Sequence, residues 1–313
     1  MGSKGSFAAT SVSLFLLTLL TVGSVSCLVR RRLITRKGGQ PTQTLLTADK
    51  ERLLRDIATR YDAIQSINAT VDMVPAVGTA NKGKITEYKD VRAYVLFRKP
   101  AHIRLIGLYP VVRGKAFDMV SDGADFRFYL PGKNLFITGS NQVEKPSPNK
   151  LQNLRPQAFL DALLVRPVDS EREQTILENF TDEDNATYIL SVLAPNGGEP
   201  LLARQFWFDR LKLQLIRQLI FDHAGDILTD ARYTSWQVYD NVSFPKSIDL
   251  ERPQDEYGVV MTVVKMDINK TVNEEQFQLA QPEGTELKVV GAEPTASPKP
   301  AAAPPASKKG KKK

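Results

Sequence analysis

The 313-residue sequence predicts a mainly β domain with helices, an α+β fold built on a large antiparallel sheet. Apolar residues alternate with polar ones in a series of short runs, and turn signals separate consecutive runs. Two other segments show apolar residues at helical spacing instead. Short strands joined by tight turns form antiparallel meanders. The apolar face of such a sheet needs cover, which the two helices can supply.

The first ordered element is predicted to be a helix from Ala48 to about Ser66. Thr47 is placed to act as its N-cap, and Asp49 and Glu51 bring negative charge to its first turn. Leucine, isoleucine and tyrosine recur at helical spacing along one side. This apolar stripe must lie against another element.

After this helix the apolar period changes to two residues. In the run 91–98, Ala93, Val95 and Phe97 share one face of the predicted strand. The same alternation marks further inward-facing candidates, which are Ile103, Leu105, Phe117, Met119, Phe126, Phe128, Phe206 and Phe208. A plain packed core is an alternative interpretation of this stripe, because a packed core shows the same alternation.

Between residues 149 and 168 the alternation stops and a second helix is predicted. Pro156 suits the first turn of a helix, where its missing N–H is not needed. Phe159, Leu160, Leu163 and Leu164 form its apolar stripe. The two helices either plug the core of a simple sheet or close a curled, open barrel with a hollow inside. The pattern alone leaves both arrangements open.

Both ends of the chain are predicted to lie outside the domain. An apolar stretch after Lys4, followed by small residues before Cys27, has the layout of an export signal. Cys27, the single cysteine, is the predicted lipid attachment site, and an uncleaved membrane anchor is the alternative. The predicted organisation is a signal peptide (1–26), a tether (27–48), a domain (49–290) and a disordered tail (291–313) rich in Ala, Pro and Lys.

The formal charge of +7 belongs to the chain ends. Lys4 contributes +1, residues 28–39 contribute +5 and residues 291–313 contribute +5, which leaves −4 for residues 40–290. Basic ends of this kind favour contact with anionic lipid headgroups. The domain itself lacks a basic stripe with interleaved aromatic residues, so nucleic acid is not an expected partner.

Four motifs in the predicted domain carry a resemblance to a known family. They are Arg98-Lys99-Pro100 after a strand, the turn Ser121-Asp122-Gly123, the aromatic strand Phe128-Tyr129-Leu130-Pro131, and a closing Phe strand with Pro-x-Gly at Phe277 to Gly284. In this order and spacing the motifs resemble the LolA and LolB family of lipoprotein carriers and outer-membrane receptors. The likeness covers about residues 49–290.

The resemblance implies an incomplete antiparallel β-barrel closed by helices, whose hollow holds the acyl chains of a lipidated protein. The inward-facing residues named above would line this cavity, together with Lys99. The resemblance places Lys99 where carriers have an arginine that points into the hollow and bonds to the backbone of the lid. Lysine lacks the planar, multi-donor fork of arginine, which weakens the expectation of that bond. The helix from Pro156 to Leu164 corresponds to the lid of the family.

The segment 107–114 is predicted to be a hairpin connection with four large apolar residues, Leu108, Tyr109, Val111 and Val112. The lipid-anchored receptor branch of the family carries a protruding apolar loop between corresponding strands. The resemblance therefore implies a membrane-contact loop here, and an exposed apolar cluster is typical of such contacts. In the alternative arrangement, Leu108 and Val111 tuck back under the sheet.

The sequence contains no recognisable catalytic or metal-binding arrangement of residues, so we predict that the chain is not an enzyme and needs no cofactor. His102 and His223 are too few and too scattered for a metal site, and no catalytic or nucleotide-binding motif occurs. The expected function is that of a lipid-anchored, monomeric envelope protein, facing the periplasm from the outer membrane and assisting lipoprotein localisation. Its expected partners are lipoprotein acyl chains or another lipid, the outer membrane through the lipid on Cys27, and a periplasmic carrier. The alternative is a structural or interaction lipoprotein with the same fold and a filled core.

Overall fold

The computed structural model describes residues 44–79, 83–110, 114–141, 153–182 and 185–290. Cys27, Val111, Val112 and the predicted tail from 291 onward lie outside the described residues. The helices are α1 (Lys50–Ala63) and α2 (Pro156–Leu163), with short 3-10 helices at Pro131–Lys133 and Glu274–Phe277. The strands are β1 (Ser66–Thr79), β2 (Lys84–Glu87), β3 (Val91–Arg98), β4 (His102–Leu108), β5 (Lys115–Ser121), β6 (Asp125–Leu130), β7 (Leu135–Ser140), β8 (Gln174–Thr181), β9 (Ala186–Ala194), β10 (Leu201–Asp209), β11 (Leu215–Phe221), β12 (Ile227–Tyr239), β13 (Val242–Arg252), β14 (Tyr257–Ile268) and β15 (Glu286–Val290).

These strands form one sheet. Its order is β15-β7-β6-β5-β4-β3-β1-β14-β13-β12-β11-β10-β9-β8, and β2 pairs with the far end of β1. Neighbouring strands are antiparallel except β15, which runs parallel to β7. Because β15 and β8 are the two ends of this order in the described chain, the curved sheet is open. The predicted α+β fold, an incomplete antiparallel barrel with helices, is confirmed. The parallel pair was not predicted.

Helix α1 begins and ends inside the predicted bounds. Its N-cap is Asp49 rather than Thr47, because the Asp49 carboxylate accepts the backbone N–H of Arg52 at 2.7 Å. The helix ends at Ala63, since Ile64 adopts extended backbone with φ −108° and ψ 113°. A helix is therefore present where it was predicted. It begins at Lys50 rather than Ala48, because the short side chain of Asp49 caps it.

Helix α2 occupies the predicted segment. Pro156 lies in its first turn, where no intrahelical N–H donor is required. The four residues of the predicted stripe are all buried, and they are Phe159, Leu160, Leu163 and Leu164. They join one continuous core with Leu53 and Ile57 of α1 and with the inner face of the sheet.

The residues that the two-residue alternation predicted to face inward do lie on the inner face of the sheet. Ten of the predicted inward-facing residues are at most 2 % exposed, and these are Ala93, Val95, Phe97, Ile103, Leu105, Met119, Phe126, Phe128, Phe206 and Phe208. Phe117 is half-buried and packs against the same core. Alternate side chains of a strand point to opposite faces, which explains why the pattern found them.

The predicted closing strand around Phe277 is wrong. Residues Glu274–Phe277 form a 3-10 helix instead, with Asn273 and Gln276 making a reciprocal capping box at its start. The capping side chains satisfy backbone N–H groups locally, so this segment does not need a strand partner. The final strand comes later, at β15.

The C-terminal segment between β14 and β15 crosses the outer face of the sheet. Phe277 packs against His102, with 5.5 Å between ring centroids, and the Arg98 guanidinium lies 5.5 Å from the Phe277 ring. Leu279 packs with Val120 and Phe136 in a second, smaller apolar cluster. This part of the sheet is therefore covered on both faces.

Candidate functional site

An apolar pocket lies between the two helices and the inner face of β11, β12 and β13. Its lining from the helices and the residues that follow them is Ile57, Arg60, Tyr61, Ile64, Ala162, Leu163, Leu164 and Val165. Its lining from the sheet is Leu215, Tyr233, Trp236, Ser243, Phe244 and Pro245. Aliphatic and aromatic side chains dominate this lining. The pocket suits hydrocarbon better than it suits a polar ligand.

The pocket is small in the described conformation. Its volume is about 40 Å³, which is room for roughly three water molecules. Of the predicted cavity and lid residues, Leu163 and Leu164 line it. The residues predicted from β3 to β6 and from β10 pack instead against the rest of the core. The space beneath the helices is thus largely filled by the side chains of the protein.

Arg60 is the charged member of this lining among the residues that the structure describes. Its guanidinium carbon lies 4.9 Å from the centre of the Trp236 ring, a cation–π contact. Burial lowers the pKa of Arg60, and the negative charge of Asp56 partly opposes that effect. The Trp236 ring is itself fixed, because its indole N–H donates to the carbonyl of Leu215 at 3.1 Å.

The sequence analysis missed Arg60, although a signal was present. The apolar stripe of α1 passes through positions 53, 57 and 64, and position 60 completes the same helical spacing. A cation on the apolar face of an amphipathic helix is a departure from the pattern. Trp236 and Tyr233 on β12 carried no such signal, because only the fold brings that strand under α1.

Lys99 fastens α1 rather than α2. Its ammonium donates to the Tyr61 carbonyl at 2.6 Å and lies 3.9 Å from the centre of the Tyr61 ring. The family resemblance predicted a bond to the backbone of the lid helix, Pro156 to Leu164, so this expectation is wrong in the choice of helix. The reason is local, since the Lys99 N–H bonds the carbonyl of Gln65, directly between α1 and β1. Burial lowers the pKa of Lys99, with Asp62 opposing the shift.

Asn269 makes a second set of hydrogen bonds at the C-terminal end of α1. Its side-chain amide donates to the Ala63 carbonyl at 2.8 Å, and its side-chain oxygen accepts the Gln65 N–H at 2.7 Å. Lys99 and Asn269 together donate to carbonyl groups in the last turn of the helix, where intrahelical partners run out; the Tyr61 carbonyl also accepts the Ile64 N–H at 3.2 Å. They hold α1 to the start of β1 and the end of β14.

The predicted membrane-contact loop is described at its two ends. Leu108 ends β4 and is half-buried, whereas Tyr109 is 42 % exposed and its N–H donates to the Gly114 carbonyl at 2.9 Å. Val111 and Val112 lie outside the described residues. A hairpin connection is therefore present, and its contact with a membrane remains a prediction.

A larger pocket of about 590 Å³, lined by both polar and apolar residues, lies at the start of α2. Arg252 pairs with Asp255 at 2.7 Å on its wall and donates to the Thr229 hydroxyl at 2.9 Å. Asp161 also lines this pocket, and burial raises its pKa while Arg166 opposes the shift. Charges of both signs lie close together here, so the pocket carries no clear preference for one ligand.

Two features are absent from the part of the chain that the structure describes. No cluster of three or more His, Cys, Asp or Glu side chains there is arranged to bind a metal ion. No α-helix within the described ranges combines the length and the apolarity needed to cross a membrane.

Comparison with known proteins finds similar solved structures but no similar sequences. No family model and no curated protein matches the sequence. A LolA superfamily protein from Nitrosomonas europaea is 14 % identical with a TM-score of 0.46, over 72 % of this chain and 97 % of that one. A DUF1329 family protein from Desulfovibrio piger is 18 % identical with a TM-score of 0.49, over 74 % and 98 %. A putative outer membrane lipoprotein-sorting protein domain from Vibrio parahaemolyticus is 11 % identical with a TM-score of 0.48, over 72 % and 94 %.

LolA superfamily and lipoprotein-sorting proteins are thus among the solved structures similar to this chain. At these identities and scores the likeness identifies no ligand. The choice of ligand depends on the geometry of the chain itself.

Proposed function

We propose that this chain is a lipid-anchored protein of the bacterial cell envelope that binds an acyl chain, of a lipoprotein or of another amphiphile, between its helices and its sheet. The observation that supports this is the apolar pocket under α1 and α2. Each methylene moved from water into such a site contributes about 0.8 kcal/mol. A long alkyl chain therefore gains enough free energy to offset a modest rearrangement of the protein.

Binding needs such a rearrangement, because the pocket is small. Helix α1 is the element best suited to move. Two of its fourteen residues are buried, Leu53 and Ile57, whereas six of the eight residues of α2 are buried. Its C-terminal end is held by Lys99 and Asn269, whose polar bonds can exchange with water. Displacement of α1 would enlarge the pocket without breaking any hydrogen bond between strands.

The location of the protein is part of the same proposal. A lipid on Cys27 would anchor the domain in the outer membrane, facing the periplasm. The exposed Tyr109 at the hairpin 107–114 supports a contact of this loop with the membrane surface. In this arrangement the pocket can receive an acyl chain and pass it to the adjacent bilayer, which is how the protein would assist lipoprotein localisation.

Native mass spectrometry of the protein isolated from bacterial membranes tests this function. We expect a population heavier than the lipidated polypeptide by the mass of one further, non-covalently bound lipid. Ala162→Leu should remove it, because the added side chain occupies the pocket that Ala162 lines. Ala58→Leu is the matched control, since half-buried Ala58 on α1 does not line the pocket. Wild-type protein that never carries a non-covalently bound lipid, and that takes up no fluorescent fatty-acyl probe, would contradict the proposal.

One observation favours a second candidate function, that of a non-transporting structural or interaction lipoprotein. The predicted cavity residues are packed into the core, and the apolar pocket under the helices has a volume of about 40 Å³. In this second candidate α1 does not move away from the sheet, and the filled core takes up no lipid. The same measurement separates the two candidates, because the second predicts a single species at the mass of the lipidated polypeptide.

A further inference from the structure

The apolar pocket contains a cation in an unusual position. Arg60 lies on the stripe of α1 that faces the core, and its guanidinium stacks on Trp236 at the pocket wall. The side chains that line the pocket with it are mostly apolar, among them Ile57, Leu164 and Phe244. A guanidinium in such surroundings has lost much of its hydration, which costs free energy unless another group compensates.

The contacts of Arg60 within the described chain offset only part of the free-energy cost of removing its guanidinium from water. The face of the guanidinium is used by the Trp236 ring, and Asp56 acts on it through its charge. A stacked guanidinium keeps its N–H groups at its edge, where they can donate in pairs to a carboxylate or a phosphate. Opposite charges also attract more strongly near apolar walls than in water, because the effective dielectric constant is lower.

We propose that Arg60 binds the oxyanion head of the amphiphile whose hydrocarbon chain occupies the apolar pocket, so that the ligand class is an anionic amphiphile with a carboxylate or phosphate group. This inference rests on the proposed function and narrows it. The acyl chains of a lipoprotein end in ester and amide groups that carry no charge. An anionic lipid therefore fits this site better than a lipoprotein does.

The hydrocarbon chain and the charged head group of such a ligand would bind at different positions in the pocket. The alkyl chain lies between Ile57, Leu163 and Phe244, while the head group remains beside Arg60 on the α1 side. Trp236 holds the guanidinium plane in position, because its own indole N–H is already bonded to Leu215. The amphiphile thereby binds with a defined direction.

The test uses the protein as isolated from bacterial membranes, placed in phosphatidylcholine vesicles, and three photoreactive probes with the same alkyl diazirine chain. One probe ends in a carboxylate, one in a phosphate and one in a hydroxyl group. Labelling of peptides from α1 and β12 is quantified by mass spectrometry in wild type, Arg60→Met, Arg60→Lys and Arg55→Met. Arg55→Met is the matched control, because Arg55 is exposed on the same helix.

We expect Arg60→Met to lower labelling by the best anionic probe about tenfold, the loss expected for one charge-assisted hydrogen-bonded pair. Labelling by the hydroxyl probe should stay within about twofold, Arg60→Lys should recover part of the loss, and Arg55→Met should match wild type. The stronger of the two anionic probes identifies a carboxylate or a phosphate as the head group.

Two results would overturn the inference while leaving the proposed function intact. One is equal labelling of wild type by the hydroxyl and anionic probes. The other is an equal loss for all three probes in Arg60→Met, which would mean that Arg60 only supports the fold through Trp236. If no probe labels the pocket of wild type, the proposed function itself fails, and this inference fails with it.

Discussion

Three charged side chains, Arg60, Lys99 and Asp161, lie at the edge of the apolar core rather than in open solvent. Burial lowers the pKa of Arg60 and Lys99 and raises that of Asp161. Each has a local partner: the Trp236 ring contacts Arg60, the Tyr61 carbonyl accepts from Lys99, and the Gln157 amide donates to Asp161. Composition alone could not single them out, because burial of one side chain depends on which elements pack around it.

The Asp161 carboxyl makes stability depend on pH. Its pKa is raised above the ordinary value of 3.8, so the folded state holds this proton more tightly than the unfolded state. Its contribution to stability is present in acid and is lost as the pH rises from 3.8 through the raised pKa. In Asp161→Asn we expect a weaker dependence of the unfolding free energy on pH in that range and a higher stability at neutral pH, measured by urea unfolding.

The Asn side chain can still accept from Gln157, which donates to the Asp161 carboxylate at 2.8 Å. Asp226→Asn, at an exposed turn position, makes the same chemical change as a control. A lower stability of Asp161→Asn at neutral pH would show that the ion pair with Arg166, at 3.8 Å, outweighs the cost of burial.

At the scale of elements, the strands were easier to predict than the packing of the helices against the sheet. Period-two alternation located the inner faces of β3 to β6 and of β10, and Pro156 marked the start of α2. The docking of α1 was not predictable, since Lys99 and Asn269 come from strand ends more than 35 residues away in sequence. A local pattern contains no information about such partners.

Lys99→Met should loosen the C-terminal end of α1. The substitution keeps an unbranched side chain but removes the ammonium group, which donates to the Tyr61 carbonyl and lies over the Tyr61 ring. We expect a loss of about 1 kcal/mol in the local opening free energy, which is roughly fivefold faster amide exchange in the last turn. Hydrogen exchange measured by mass spectrometry checks this, with exposed Lys89→Met as the control. Equal protection in the two variants would show that Asn269 holds the helix alone.

At the scale of the whole molecule, one arginine joins distant parts of the chain across the outer face of the sheet. Arg104 on β4 makes a two-pronged pair with the fully buried Asp118 of β5, at 2.9 and 2.8 Å. It also donates to the carbonyls of Gln276 and Gln278. This contact fixes the C-terminal segment over the sheet and delivers β15 to the open edge at β7. Such a return path explains why β15 runs parallel to its neighbour.

Arg104→Met should therefore destabilise the molecule by about 3 kcal/mol, because Asp118 remains buried with Lys115 as its one ion-pair partner among the described residues. Urea unfolding measures this, and limited proteolysis should cut the C-terminal segment after residue 272 faster than in wild type. Arg92→Met is the control, since its pair with Asp72 has similar geometry but is exposed to solvent and is worth about 0–1 kcal/mol. Equal effects of the two substitutions would refute the bridging role of Arg104.

The sequence by itself determined the fold class, most of the inner face of the sheet and the position of α2. These features follow from local periods of two and 3.6 residues, which are set by backbone geometry. Only the tertiary structure decided that Lys99 holds α1, that β15 pairs in parallel with β7, and that Arg60 meets Trp236 at an apolar pocket. These contacts join residues 38 or more positions apart in the chain, and their energies depend on burial, which exists only once the chain has folded.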